Sequence, residues 1–298
     1  MSRSLPPRVV VVVRPTELEG LLLRHGTREQ ARFFLETRGR TIDEAAERHE
    51  MQQTAIHAVG AQIPVAWRRA KVLRAELDRF LFETEDIVIA LGQDGLVANV
   101  AKYLHGQLVI GVNTAPQLFE GVLVRNPPSA VGDLLAQATS DKLQVTARSM
   151  VQASTSDGVS LVALNEIFVG HRTHQSARYT LKIAGKSERQ SSSGLIVCTG
   201  TGSTGWAKSI SLGREGCPSL PTAASPDLSF LVREAWPSVS TGANLTSGIL
   251  AEGQTLQITS EMNDGGAAFG DGIEDDRIDL PYGQVLTLTR AATTLRLV

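Results

Sequence analysis

The feature that most constrains the fold is an unbroken β-branched run near the start of the chain, RVVVVV at residues 8–13. A strand with one face in water alternates apolar and polar side chains, whereas this run is apolar at consecutive positions. Such strands are typical of parallel sheets covered by helices on both faces. The run therefore predicts an α/β domain.

The following segments alternate between helical and strand patterns, which supports a mostly parallel sheet. Helices are predicted at Thr27–Glu36, Thr41–Val59, Arg69–Glu83, Leu96–Leu104 and Ala130–Ala138, and strands at Ile63–Trp67, Asp86–Leu91 and Leu108–Val112.

Beyond Arg125 the pattern changes to short strands separated by turn residues, which predicts a mainly β second domain. Its candidate strands are Leu143–Met150, Val159–Val169, Ala177–Ile183, Leu195–Thr199, Leu228–Val232, Leu256–Thr259 and Val285–Arg290.

Composition excludes several classes of function. The formal net charge of the 298 residues is -2, so no global field favours nucleic acid or an anionic membrane. Two cysteines form neither a disulfide framework nor a zinc-binding pair, and no metal ligand is assigned. No apolar run approaches the ~18 residues that span a bilayer. We expect a cytoplasmic protein without nucleic-acid or membrane partners.

The stretch LGQDGLVANV places Asp94 between Gly92 and Gly95, where a strand should give way to a helix. One interpretation is a helix cap. The other is a catalytic base beside a phosphate-binding loop. A carboxylate repels phosphate unless Mg²⁺ intervenes or the carboxylate faces an acceptor hydroxyl, and that combination is typical of phosphoryl transfer.

A second glycine-rich stretch, TGTGSTGW at residues 199–206, has the GxGxxG spacing of dinucleotide-binding loops. That motif needs an acidic residue on a second strand ~20 positions later, but Asp227 lies in a Pro/Ser-rich loop. The hydroxyls could be helix caps, yet their number favours a loop that binds a polar ligand. Gly185-Lys186-Ser187 is not a P-loop, because Thr180 stands where the motif's first glycine belongs.

Asn165-Glu166 interrupts an apolar strand pattern, LVALNEIFV. The pair could mark a strand end or a bulge. Alternatively, its amide and carboxylate could bind sugar hydroxyls.

These segments, in this order, resemble the signatures of the NAD kinase family: a GGDGT loop, an Asn-Glu pair and a TPTGSTAY-like loop. The mitochondrial-type branch is more similar still. Its GVNTDPERSEG segment resembles GVNTAPQLFEG at residues 111–121, and its SSGLNLCTGTGS segment resembles SSGLIVCTGTGS at residues 192–203. The similarity covers almost the whole chain.

The resemblance implies an N-terminal Rossmann-like α/β domain at 1–125, with a return segment at 276–298, and a β-sandwich-like domain at 126–275. The active site would lie between them. The implied reaction transfers a phosphoryl group from ATP or another donor, with Mg²⁺, to the adenosine 2′-hydroxyl of NAD(H). The resemblance also implies a homodimer or a larger homo-oligomer, with small-molecule nucleotides as ligands.

By the same resemblance, Asp94 would be the general base. Gly92, Gln93 and Gly95 would form the phosphate loop. Asn165 and Glu166 would hold NAD ribose hydroxyls, and Trp206 would pack where the family often has tyrosine. The remaining candidates are Thr204, Gly205 and Ser209 in the adenosine pocket, Thr201 and Ser203 in the same NAD-binding loop, and Asn113 and Asp271 as additional positions.

The chain departs from the GGDGT signature at Gln93 and Leu96, which replace a glycine and the threonine. A hydrogen bond to a charged group is worth roughly 1.5–3 kcal/mol, whereas a general base contributes roughly 10²–10⁴-fold to the rate. Because Asp94 is retained, we expect activity. The alternatives are a non-catalytic NAD(H)-binding sensor and a kinase acting on a lipid or sugar.

Overall fold

The computed structural model describes residues 6–118, 120–140 and 142–298. Phe119, within the GVNTAPQLFEG segment, lies outside the described residues. The chain forms two units, Met1–Thr146 with Arg296–Val298, and Ala147–Leu295. This division falls later than the expected boundary at residue 125, and the returning segment is shorter than 276–298.

The elements are numbered in chain order. The helices are α1 (Glu17–His25), α2 (Arg28–Glu36), α3 (Asp43–Gln62), α4 (Asp94–Ala101), α5 (Val131–Thr139) and α6 (Trp206–Leu212), with 3₁₀ turns at Arg74–Arg79, Pro128–Ala130 and Gly202–Thr204. The strands are β1 (Arg8–Val13), β2 (Arg68–Leu73), β3 (Ile87–Gly92), β4 (Leu108–Asn113), β5 (Thr146–Arg148), β6 (Val151–Thr155), β7 (Ser160–Ala163), β8 (Glu166–His171), β9 (Ala177–Ile183), β10 (Lys186–Ser192), β11 (Leu195–Cys198), β12 (Leu228–Val232), β13 (Ser247–Leu250), β14 (Leu256–Ser260), β15 (Gly266–Gly270), β16 (Arg277–Asp279), β17 (Val285–Arg290) and β18 (Leu295–Leu297).

The first sheet has the order β2-β1-β3-β4-β18-β5, and its β1, β2, β3, β4 and β18 pair in parallel. The valines of β1 are buried, as the RVVVVV run predicts. Helices α3 and α5 contribute Val59 and Leu135 to the core beside this sheet. The α/β class predicted for this unit is confirmed.

Two predictions in this unit are wrong. The expected strand at Ile63–Trp67 is mostly a turn, and the expected helix at Arg69–Glu83 is β2 followed by a 3₁₀ turn. The cause is the position of β2 at the edge of the sheet, where β1 is its sole partner among the described strands. Its exposed face carries arginine and lysine, and only Val72 is buried, so its sequence lacks an apolar strand pattern.

The second unit contains two six-stranded sheets, ordered β10-β9-β14-β17-β6-β7 and β13-β12-β11-β8-β15-β16, whose described pairings are antiparallel. Buried side chains from both sheets, such as Tyr179 and Val197, share one core. The predicted β-sandwich-like architecture is confirmed.

Several helices and strands were not predicted correctly from the sequence. The run expected as one strand at Val159–Val169 divides into β7 and β8, with Leu164 and Asn165 at the break. Helix α1 and strands β6, β10, β13, β15, β16 and β18 were not predicted. Other boundaries differ by a few residues, because strand and helix ends depend on pairing and capping more than on composition.

Candidate functional site

Asp94 is the first residue of α4, directly after the turn that follows β3, and its carboxylate binds a distant backbone segment. The Oδ1 atom accepts hydrogen bonds from the N–H groups of Leu123 (2.7 Å) and Val124 (3.0 Å), and Oδ2 accepts one from Val122 (2.9 Å). A carboxylate has about four acceptor positions, so one, on Oδ2, has no partner among the described residues. The carboxylate therefore holds the 122–124 segment, and the helix-cap interpretation does not describe it.

Two residues of the loop around Asp94 differ from the family signature, Gln93 and Leu96, and the first is exposed whereas the second is buried. Gln93 is exposed, so its carboxamide is accessible to solvent. Leu96 is 2% exposed and packs toward Gly92. Leu96 therefore offers an apolar surface where the signature has a hydroxyl.

Asn113, at the end of β4, is buried and shapes the segment that leads toward Asp94's backbone partners. Its Oδ1 accepts a hydrogen bond from the N–H of Ala115 at 2.9 Å. Its own N–H donates to the carbonyl of Asn126 at 2.9 Å. The structure thus gives Asn113 a role in the path of the chain.

In the second unit, the Asn165-Glu166 pair forms the break between β7 and β8, and Asp271 fixes it. The Asp271 carboxylate accepts hydrogen bonds from the N–H groups of Leu164 (2.7 Å), Asn165 (2.8 Å) and Glu166 (3.3 Å). Asp271 has φ +51°, a left-handed conformation uncommon for residues other than glycine. Asp271 therefore positions the pair from about a hundred residues away in sequence.

The TGTGSTGW loop packs directly on the same turn. Thr199 donates from its N–H to the Asn165 carbonyl (2.9 Å) and from Oγ1 to the Leu164 carbonyl (2.6 Å). A Cβ added to Gly202 would lie 2.3 Å from the Asn165 carbonyl oxygen, so only glycine fits there. The structure brings the predicted Asn-Glu pair and the predicted hydroxyl-rich loop together.

The loop hydroxyls differ in how far they are satisfied. Ser203 Oγ donates to the Thr199 carbonyl (3.1 Å), and Thr204 Oγ1 donates to the Thr201 carbonyl (3.3 Å). The Oγ1 of Thr201 is buried and has no hydrogen-bond partner within the described residues. A buried polar group without a partner is costly, so this hydroxyl is suited to a ligand.

Trp206 begins α6 and lies among aromatic and basic side chains. Its ring stacks on Phe168 at a centroid distance of 5.9 Å, and the guanidinium of Arg233 lies 5.2 Å from the Trp206 ring centroid. These three residues help line a cavity of about 580 Å³. Gly205 and Ser209, in the first turn beside Trp206, are exposed.

Glu166 is the candidate residue with an acid–base property close to neutral pH. Burial, together with the negative charge of Asp271, raises the pKa of Glu166 to about 7. Near neutrality this side chain is therefore present in both forms, one that donates and one that only accepts hydrogen bonds.

We expect stability to depend on this ionisation. Because the pKa is higher in the folded state than the ordinary value of 4.5, the folded protein retains a proton that the unfolded chain loses between these values. The free energy of unfolding should therefore fall as pH rises from about 4.5 to about 7. Urea unfolding at a series of pH values checks this. Glu166→Gln should show a smaller decline, and an equal decline in both proteins would contradict the assignment.

Sequence reasoning missed the roles of the 122–124 backbone and of Asp271 as a positioning residue. The similarity of residues 111–121 to the family's segment points to the region directly before the 122–124 backbone. Nothing in the local sequence connects Asp271 to Asn165.

Known proteins resemble this chain in sequence and in fold, although no protein-family profile matches it. Human mitochondrial NAD kinase 2 is 28% identical over 256 residues, an alignment that covers 69% of this chain and 58% of the human protein. The chain thus spans less than two thirds of that relative's length.

Two crystal structures share the fold. An NAD kinase from Archaeoglobus fulgidus in complex with ATP has a TM-score of 0.56 and 19% identity, covering 97% of this chain and 92% of its own. A yeast NADH kinase complexed with NADH has a TM-score of 0.59 and 14% identity, covering 98% and 83%. The agreement with the motifs confirms the predicted resemblance: the chain is similar in sequence to NAD kinases, including those of the mitochondrial branch, and shares their fold.

Proposed function

We propose that the chain transfers a phosphoryl group from ATP or a similar donor to the adenosine 2′-hydroxyl of NAD or NADH. The observation that carries this proposal is the Asp94 carboxylate, which three backbone N–H groups hold in place while one acceptor position on Oδ2 has no partner within the described ranges. A fixed carboxylate with a free acceptor position is suited to receive a proton from a hydroxyl.

The acceptor would be held by the second unit. Asn165 and Glu166 offer an amide and a carboxyl group on a fixed turn, which suits paired ribose hydroxyls. Thr201 offers the buried, unpartnered hydroxyl. The remaining contacts proposed for NAD come from Ser203, Thr204, Gly205, Trp206 and Ser209.

In the proposed reaction, the ribose 2′-hydroxyl gives its proton to Asp94 Oδ2. The ribose oxygen forms a bond to the γ-phosphorus of ATP. The bond from that phosphorus to the β–γ bridging oxygen breaks, and ADP leaves. Fixing the hydroxyl and the phosphate in line supplies much of the rate enhancement in such transfers.

Magnesium, which the family implies, is expected to arrive with the donor. No group of three or more His, Cys, Asp or Glu side chains in the described residues could enclose a metal. Mg²⁺ is commonly bound by one or two carboxylates together with substrate phosphates, and the donor's phosphates would supply that part of its coordination. The ion would neutralise phosphate charge near Asp94.

We extend the proposal to a cytoplasmic homodimer or larger homo-oligomer, as the resemblance implies. Among the described helices, none combines the length and the hydropathy that a membrane-spanning helix needs.

The proposal predicts that the purified chain, given NAD, ATP and Mg²⁺, forms NADP. The product can be followed with a dehydrogenase specific for NADP, and parallel reactions with NADH and with inorganic polyphosphate establish acceptor and donor preference. Absence of NADP with every donor and both acceptors would overturn the proposal.

A second candidate is a non-catalytic NAD(H)-binding sensor. The observation that favours it is buried Leu96, which removes the hydroxyl of the GGDGT signature. A sensor should bind NAD(H) in calorimetry without turnover, so NADP formation that depends on Asp94 would exclude it. A lipid or sugar acceptor should compete with NAD for binding, which the same calorimetry measures.

A further inference from the structure

We propose that Arg14 and Arg48 form the subsite for the phosphate chain of the donor, beside the Gly92-Gln93 turn. This inference rests on the proposed function, because it names the donor contacts of the same reaction. It concerns the first unit alone.

The subsite is a cavity of about 370 Å³ whose lining residues all belong to the first unit. Its polar lining includes Arg14, which follows β1, and Arg48 and Gln52, which lie on α3. Gln93, after β3, and Thr114, after β4, also line it, together with Thr16 and the carboxylate of Glu17 at the start of α1. The carboxyl ends of neighbouring parallel strands are the usual place for ligands in such sheets.

The charges in the cavity suit a polyanion. The side chain of Arg14 is exposed and makes no hydrogen bond or ion pair within the part of the chain that the structure describes. Arg48 lies 3.5 Å from Glu17 and 3.4 Å from Glu44, and Glu17 is also 2.8 Å from Arg40. Arg40 offsets part of the charge of Glu17, which also lines the cavity, and a phosphate chain would compete with Glu17 and Glu44 for Arg48. Arg14 has no such competitor among the described residues.

The two arginines also account for the altered phosphate loop. Leu96 lines the cavity as a buried apolar side chain and cannot bind phosphate oxygens. Guanidinium groups bind phosphate through charge-assisted hydrogen bonds that are about twice as strong as neutral ones. Arg14 and Arg48, with the carboxamide of Gln93, therefore replace the contact that the threonine hydroxyl would provide.

The lining indicates which part of the donor is recognised. Among the described residues, no aromatic side chain lines this cavity, so none of them stacks on a base there. The shared chemistry is a chain of phosphates, which a nucleoside triphosphate or an inorganic polyphosphate could supply.

The test is calorimetric binding of ATP and of inorganic tripolyphosphate to the full chain, with Mg²⁺ and without NAD. Arg14→Ala and Arg48→Ala should each weaken binding by about tenfold or more, the loss expected for one charge-assisted hydrogen bond. Arg32→Ala is the matched control. Arg32, on α2, is exposed like Arg14 and does not line this cavity, so its removal should leave affinity within about twofold, as surface substitutions usually do.

Because Arg48 also pairs with Glu17 and Glu44, Arg14→Ala is the decisive variant. Binding of both ligands, weakened in the variants, supports the subsite and a base-independent donor. Binding of ATP alone, weakened in the variants, supports the subsite with a nucleotide donor. Wild-type affinity in both variants, or no binding of either ligand by the wild type, overturns the inference. No turnover is measured, so this result is separate from failure to form NADP.

Discussion

Replacing Asp94 with asparagine is expected to lower the rate of NADP formation at least a hundredfold, because a positioned general base contributes roughly 10²–10⁴-fold. The asparagine side chain has one oxygen, which can accept hydrogen bonds from at most two of the three backbone N–H groups. Its NH₂ group would face the remaining N–H group and cannot accept from it. Losing a hydrogen bond to a charged group should also cost about 1.5–3 kcal/mol of unfolding free energy.

The double role of Asp94 requires that chemistry be separated from structure. The rate should be measured under conditions where urea unfolding shows that the variant is folded, and donor binding should be measured on the same sample. A folded Asp94→Asn protein with wild-type kcat would show that this carboxylate only holds the 122–124 segment.

Asp271→Asn is the second substitution with a large expected effect. It also serves as a matched control for Asp94→Asn. Asp271 binds three consecutive backbone N–H groups, as Asp94 does, but its partners are Leu164, Asn165 and Glu166. We expect a similar loss of stability, about 1.5–3 kcal/mol, and a rise in the KM for NAD of about tenfold or more. The kcat should fall less than in Asp94→Asn, because the base remains.

A second readout separates positioning from general destabilisation. The negative charge of Asp271 contributes to the raised pKa of Glu166, so Asp271→Asn should lower that pKa. The pH profile of NAD binding should therefore move to lower pH by as many pH units as the pKa of Glu166 falls. An unchanged KM and an unchanged pH profile would show that Asp271 does not act through Glu166.

Local sequence was a good guide where burial alone decides structure. The valines of β1 are buried on both sides of a parallel sheet, so their pattern identified the strand and the α/β class. Strand β2 was missed because an edge strand carries polar side chains and depends on its pairing with β1. Helix and strand propensities cannot report such pairing.

The candidate site was predicted only in part, for a related reason. Asn165-Glu166 and the TGTGSTGW loop are visible as polar and glycine-rich interruptions of apolar strands. The backbone partners of Asp94 and Asp271 are not visible in the sequence, because they lie 28 to 30 and 105 to 107 residues away. Such contacts arise from the tertiary fold, and no local pattern encodes them.

Phosphoryl transfer to NAD is tested most directly by following the phosphorus atom itself. The full chain is incubated with NAD, Mg²⁺ and ATP labelled at the γ-phosphate, and the dinucleotides are separated. We expect label in NADP, attached at the adenosine 2′ position, with at least a hundredfold less in the Asp94→Asn protein. Label that stays in ATP or appears only as free phosphate would contradict this expectation, as would equal labelling by both proteins.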